Sequence, residues 1–123
     1  MVLLPTVMFG GYSLLRLMTG GVLTPFQQTY FRAGHAHAGV LLVLSLVYYL
    51  YLERTALPTG LKWLACAGLA LGILAQSGGF FLHLLVGAPE HPSAGTMVTT
   101  AGAVLLAAAM LLLAYGVATS PRS

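Results

Sequence analysis

Long apolar runs alternate with short polar breaks along the whole chain of 123 residues. A helix that crosses the hydrocarbon core of a bilayer needs about 20 mostly apolar residues. Four runs reach that length, at residues 3–23, 33–52, 60–86 and 93–118. The breaks contain turn-forming residues, among them Pro25, Pro58 and Gly87. The pattern predicts a single all-α domain, residues 1–123, folded as an antiparallel four-helix bundle that is integral to a membrane.

The composition supports a membrane protein and removes several other classes. Hydrophobic residues make up 59% of the chain and charged residues only 6%, whereas a soluble domain carries about 25% charged residues. The five basic residues are scattered and form no clustered basic face, so no nucleic-acid binding is expected. Cys66 is the single cysteine, which excludes an internal disulfide and favours a packing role.

The basic residues also predict an orientation. The amino terminus, the loop with Arg54 and Lys62, and the tail with Arg122 share one side of the predicted bundle, while Arg32 and Glu90 lie on the other. The positive-inside rule places the first side in the cytoplasm, so both termini are expected on the cytoplasmic side of the plasma (inner) membrane. A chain of this size is also expected to associate as a homo-oligomer within the lipid bilayer.

All four histidines fall at the outer side of this topology. His35 and His37 lie in the first turns of the second predicted span, His83 lies about one turn before the end of the third, and His91 lies in the following loop. With a rise of about 1.5 Å per residue, His37 and His83 are expected within roughly 6 Å of their helix ends. Imidazoles gathered at one depth predict a metal or haem site near the outer face.

Helical geometry separates the two neighbouring histidines. Residues two apart on a helix differ by about 200° in direction, so His35 and His37 are expected to project from opposite faces. They therefore cannot both bind one metal ion from a regular helix. They are suited instead to two sites, or to one ligand and one hydrogen-bonding partner.

The segment around this pair resembles a known helix. Gly34-His35-Ala36-His37-Ala38-Gly39, followed by Tyr48-Tyr49-Leu50, is similar to the His-x-His helix of haem–copper oxidase catalytic subunits, above all the C-type oxidases and nitric oxide reductases. The resemblance covers about 18 residues. It implies that the chain is a small stand-alone relative, in which His35 would ligate an active-site haem and His37 a low-spin haem.

Other residues of the chain suit a haem as well. Gly72, Gln76, Gly79 and His83 are spaced by four, three and four residues and share one helical face, where the glycines could admit a flat macrocycle. His83 with either His37 or His35 would then ligate a b-type haem. Covalent attachment is not expected, because the chain has no Cys-x-x-Cys-His motif.

Two arginines complete the predicted haem site. Arg16 and Arg32 lie toward the outer side, where they would meet the haem propionates. Arg16 falls within the first predicted span, and an ionisable residue in a span indicates a functional role by default.

The function predicted from these residues is a membrane haem b protein in electron transfer or in diatomic gas binding or reduction, with respiratory-chain proteins as partners. Whether it is an enzyme stays open, and no catalytic residue is assigned. The first alternative is a copper- or zinc-binding protein for metal delivery or transport, using Met18, Met97 and His91. The second is a structural subunit associated with a respiratory oxidase.

Overall fold

Four helices account for the regular structure of residues 3–121, the part of the chain that the computed structural model describes. They are α1 Leu3–Thr19, α2 Pro25–Glu53, α3 Thr59–Val86 and α4 Ala94–Thr119. The predicted all-α, four-helix fold is confirmed. Helices α2, α3 and α4 are long and apolar enough to cross a membrane, consistent with a multi-pass membrane protein. Arg122, used above for the orientation, lies outside the described residues.

Helix α2 begins eight residues before the predicted start at residue 33. The polar stretch that suggested a turn is a helix start: Thr24 is the N-cap, its hydroxyl accepts the Gln27 N–H at 3.2 Å, and the Gln27 side chain accepts the Thr24 N–H at 3.0 Å. Pro25 occupies the first helical turn, where its missing N–H costs nothing. His37 is therefore about 18 Å from the start of its helix, not within 6 Å of it.

Helices α3 and α4 form a very close antiparallel hairpin. A Cβ atom on Gly95 would overlap the His83 backbone, and one on Gly102 would overlap the Gln76 backbone. On α3, a Cβ on Gly72 would meet Leu106 and one on Gly79 would meet Thr99. Buried small residues recur every seven positions on both helices: Ala65, Gly72 and Gly79 on α3, and Gly95, Gly102, Ala109 and Gly116 on α4. Most of the glycines among them face the partner helix, whereas Gly116 faces Leu57 and Thr55 of the α2–α3 loop. A repeat of seven keeps one seam toward the partner along the whole hairpin.

Helix α2 lies against this hairpin and α1 lies against α2. The buried Tyr48 donates a hydrogen bond from its hydroxyl to the Ala109 carbonyl at 2.8 Å, which ties α2 to α4. Leu52, Leu57 and Leu69 surround it in the main core. Within residues 3–121, α1 packs closely on α2 alone among the helices. The bundle therefore has one tightly packed side and one side where α1 stands apart from α3.

Candidate functional site

His83 is buried where three helices meet. Its side chain is 2% exposed, and its Nδ1 lies 2.7 Å from the Ser93 hydroxyl oxygen. Ser93 is the N-cap of α4 and accepts the Gly95 N–H at 3.0 Å. The imidazole also lies edge-on to Tyr30 of α2, with ring centroids 4.3 Å apart. His83 thus connects the end of α3 to the starts of α2 and α4.

His37 lies deeper along α2 and faces α3. Its Nδ1 lies 2.9 Å from the Ala33 carbonyl, which can only accept, so Nδ1 is the donor of this hydrogen bond. Its ring centroid is 4.7 Å from that of Phe80. Phe80 in turn contacts Tyr30, at 6.4 Å, and Tyr30 contacts His83. The rings of Phe80 and Tyr30 therefore link His37 to His83, and the two imidazoles are not in direct contact.

His35 faces the opposite way, toward α1. A Cβ atom on Gly11 would lie 3.0 Å from its Nε2, and one on Gly10 would lie 3.5 Å from its Nδ1. The expected divergence of His35 and His37 is confirmed, because one packs on α1 and the other on α3. The glycines of α1 let the imidazole approach the helix backbone closely.

His91 lies apart from His35, His37 and His83, which are themselves separated from one another. It is exposed in the α3–α4 loop, where its N–H donates to the Ala88 carbonyl at 3.3 Å across a turn with Glu90 at a φ of 63°. Within residues 3–121, no three His, Cys, Asp or Glu side chains come together in a group that could hold a metal ion. The proposed copper or zinc site thus gains no ligand cluster from the fold.

The described side chains, as packed, do not fit a haem between α2 and α3. The face of α3 with Gly72, Gln76 and Gly79 lies against α4, where Leu106 and Thr99 occupy the position expected for a macrocycle. His35 is likewise not open to a haem iron, because both of its ring nitrogens lie close to α1.

The other residues assigned to the haem or copper site are also dispersed. Arg16 and Arg32, the expected propionate partners, are exposed. Of the two methionines considered for copper, Met18 is half-buried and Met97 is 75% exposed.

The structure contains a cleft that the histidine pattern did not indicate. It lies between α1, α2 and α3, has a volume of about 460 Å³, and is called the cleft below. On α2 it extends from Ala38 to Tyr49, and on α3 from Ala70 to Phe81, about 16 Å along each helix. Its walls are mainly aliphatic and include Leu3, Leu4, Val7, Leu42, Leu46, Ile73 and Leu74.

Four residues with hydroxyl groups line the cleft, Thr6, Ser45, Tyr49 and Ser77, and the two serines are buried. Ser45 and Ser77 are each 7% exposed. Ser45 donates to the Leu42 carbonyl of its own helix at 2.6 Å. The Ser77 hydroxyl has no hydrogen-bond partner, the one buried side-chain nitrogen or oxygen of residues 3–121 in that state.

His35 lies just beyond one end of the cleft. Residues 35, 38, 42, 45 and 49 follow spacings of three and four and so form one stripe on α2, the last four of which line the cleft. His35 continues the stripe by one turn and contacts α1 there. The structure thus connects one predicted site residue to the cleft and leaves His37, His83 and His91 outside it.

Sequence reasoning missed Ser45 and Ser77. The available signal was a single hydroxyl in the middle of each of two apolar spans, since polar groups at membrane depth usually find partners on neighbouring helices. The gap between α1 and α3 left no such signal, because it depends on how far α1 stands from the hairpin. Comparison with known proteins finds no matching protein family, no matching curated protein and no matching solved structure.

Proposed function

We propose that this membrane protein binds a lipid-soluble molecule in the cleft between α1, α2 and α3. The observation that carries the proposal is the cleft itself: about 460 Å³ of apolar space with one unpartnered, buried hydroxyl in its wall. Binding sites for small molecules commonly enclose about 300–1,000 Å³ and combine apolar walls with a few polar groups. The cleft has that size and that chemistry.

The close packing of the α3–α4 hairpin supports a binding role for the cleft. Protein interiors are packed to nearly the density of organic crystals, so large voids are uncommon. On the hairpin side, glycines bring the helices into backbone contact. The cleft on the other side of the same small bundle therefore results from the position of α1, which packs on α2 and stands away from α3.

A ligand would reach the cleft sideways from the bilayer. Several residues at its rim are substantially exposed, among them Leu4 at 44%, Leu46 at 55% and Leu74 at 61%. Exposed leucines on a spanning bundle face hydrocarbon. A molecule dissolved in the membrane would thus enter between α1 and α3 without crossing water.

The test is to fill the cleft. Ala38 lines it on α2, whereas Ala36, two residues away, is exposed and outside it. We expect Ala38→Phe to abolish saturable binding of an alkyl-tailed aromatic ketone in nanodiscs, and Ala36→Phe to leave the dissociation constant unchanged. Equal binding by both variants would contradict the proposal.

Haem b is the rival proposal, and it is supported by the resemblance of the His35–His37 segment alone. Binding at His35 would require α1 to move away from α2, because both ring nitrogens abut Gly10 and Gly11. The absorption spectrum of the purified protein separates the two proposals. A Soret band that is lost in His35→Ala would favour haem, whereas saturable ketone binding without such a band would favour the cleft.

A further inference from the structure

Ser77 differs from most of the other hydroxyl-bearing residues in the helices. Serine and threonine in helices usually donate to a carbonyl three or four residues earlier. Several hydroxyls of this chain do so: Ser13, Thr19, Thr29, Ser45, Thr100 and Thr119. Ser77 lies inside α3, is 7% exposed and makes no such bond. Its hydroxyl is therefore a buried donor without a hydrogen-bond partner in an apolar wall.

Water is a poor partner for this hydroxyl. A buried water needs two to four polar partners. Four residues of the cleft are near Ser77 by helical spacing and by the pairing of α2 with α3, namely Ala38, Ile73, Gly78 and Phe81, and their side chains offer none. Three other residues with hydroxyl groups line the cleft: Thr6, Ser45 and Tyr49. Ser45 lies seven residues beyond Ala38 on α2, about 10 Å along the helix, and its hydroxyl donates to the Leu42 carbonyl.

The place of Ser77 along the cleft follows from the contacts between α2 and α3. A Cβ on Gly34 would meet Phe81, so these two residues face each other across antiparallel helices. One turn further along both helices, Ser77 is opposite Ala38. Ser77 therefore lies near the His35 end of the cleft, and the aliphatic remainder extends from it toward Tyr49.

From these observations we infer that the ligand carries a carbonyl oxygen, which accepts the Ser77 hydroxyl proton, on an apolar chain that extends toward Tyr49. This inference rests on the proposed binding function of the cleft. A carbonyl group matches the site because it accepts one hydrogen bond and brings no donor that would itself need a partner. A pure hydrocarbon leaves the hydroxyl unpaired, and a charged group would be desolvated without an opposite charge.

The experiment compares two probes of equal length, an alkyl phenyl ketone and the matching alkylbenzene. Their dissociation constants are measured in nanodiscs for the wild-type protein, Ser77→Ala and Ser77→Thr. A neutral hydrogen bond corresponds to roughly a two- to tenfold change in affinity. We expect the wild type to favour the ketone by that factor, Ser77→Ala to lose the preference, and Ser77→Thr to restore it.

The outcomes separate the inference of a carbonyl ligand from the proposed binding function of the cleft. Binding of both probes with equal affinity, unchanged in Ser77→Ala, would overturn the carbonyl inference and leave the cleft as a hydrocarbon site. Failure of the wild type to bind either probe would overturn the proposed function itself. Ser13→Ala is the matched control, because Ser13 lies on α1 outside the cleft and bonds to Phe9. A loss of ketone preference in that variant would also contradict the role of Ser77.

Discussion

The two sides of this bundle are packed differently: α3 and α4 are in close contact, whereas a cleft separates α1 from α3. Between α3 and α4, small residues recur every seven positions, and the backbones lie so close together that a methyl group would not fit at Gly95 or Gly102. Between α1 and α3, larger aliphatic residues stand apart and line an open cleft of about 460 Å³. Within a membrane, where burial of apolar surface gives little driving force, close packing and hydrogen bonds hold helices together. The contact between α3 and α4, the tight side, therefore stabilises the bundle. The cleft between α1 and α3, the loose side, leaves room for a ligand.

The largest expected effect tests whether His83 belongs to the tight side. His83→Ala removes the hydrogen bond to Ser93 and leaves a space beside Tyr30. We expect a loss of about 2–4 kcal/mol in stability, measured by reversible unfolding in detergent, with ketone binding to the folded protein unchanged. His91→Ala, which alters an exposed loop residue, is expected to change stability by less than about 0.5 kcal/mol. Loss of ketone binding in folded His83→Ala would place His83 in the binding site instead.

A smaller effect is expected from adding one methyl group to the hairpin seam. The new Cβ of Gly102→Ala would overlap the Gln76 backbone, so the two helices must separate. Overpacking of this kind costs about 1–3 kcal/mol. The same unfolding measurement checks it, and a Gly102→Ala protein as stable as the wild type would show that the hairpin is looser than described.

The smallest effect is a gain in stability, expected from a glycine-to-alanine substitution at a position that lines the cleft. Gly78 lies in the middle of α3 and lines the cleft, and a Cβ there would meet nothing within 4 Å. Alanine is favoured over glycine in a helix by about 0.5–1 kcal/mol. Gly78→Ala is therefore expected to raise the stability by that amount. Destabilisation would mean that the cleft is already filled by protein in the membrane.

The sequence predicted the helices well because long apolar runs are a strong signal. It missed the start of α2, since Thr24, Pro25 and Gln27 suit a turn as well as a capped helix start. That error brought His35 and His37 to the apparent depth of His83. The spacing of Gly72, Gln76 and Gly79 correctly indicated a flat face on α3, but spacing alone could not tell whether a macrocycle or another helix lies against it.

The site was harder to predict than the fold. Ser77 could be seen as a polar residue in an apolar span, yet its missing hydrogen bond is a property of the folded backbone. The cleft depends on α1 packing on α2 and standing away from α3, a relation between distant segments that no local pattern encodes.

The distribution of photolabelling over the lipid-facing surface tests the central claim most directly. An alkyl benzophenone would be activated in nanodiscs that contain the wild-type protein, and the labelled residues would be mapped by mass spectrometry. Helix α4 provides an internal control, because Met97 and Leu111 are 75% and 71% exposed but lie outside the cleft. We predict labelling concentrated on residues 3–7, 38–49 and 70–81 and competed by unlabelled ketone. Labelling spread equally over α4 and insensitive to competition would contradict a binding site in the cleft.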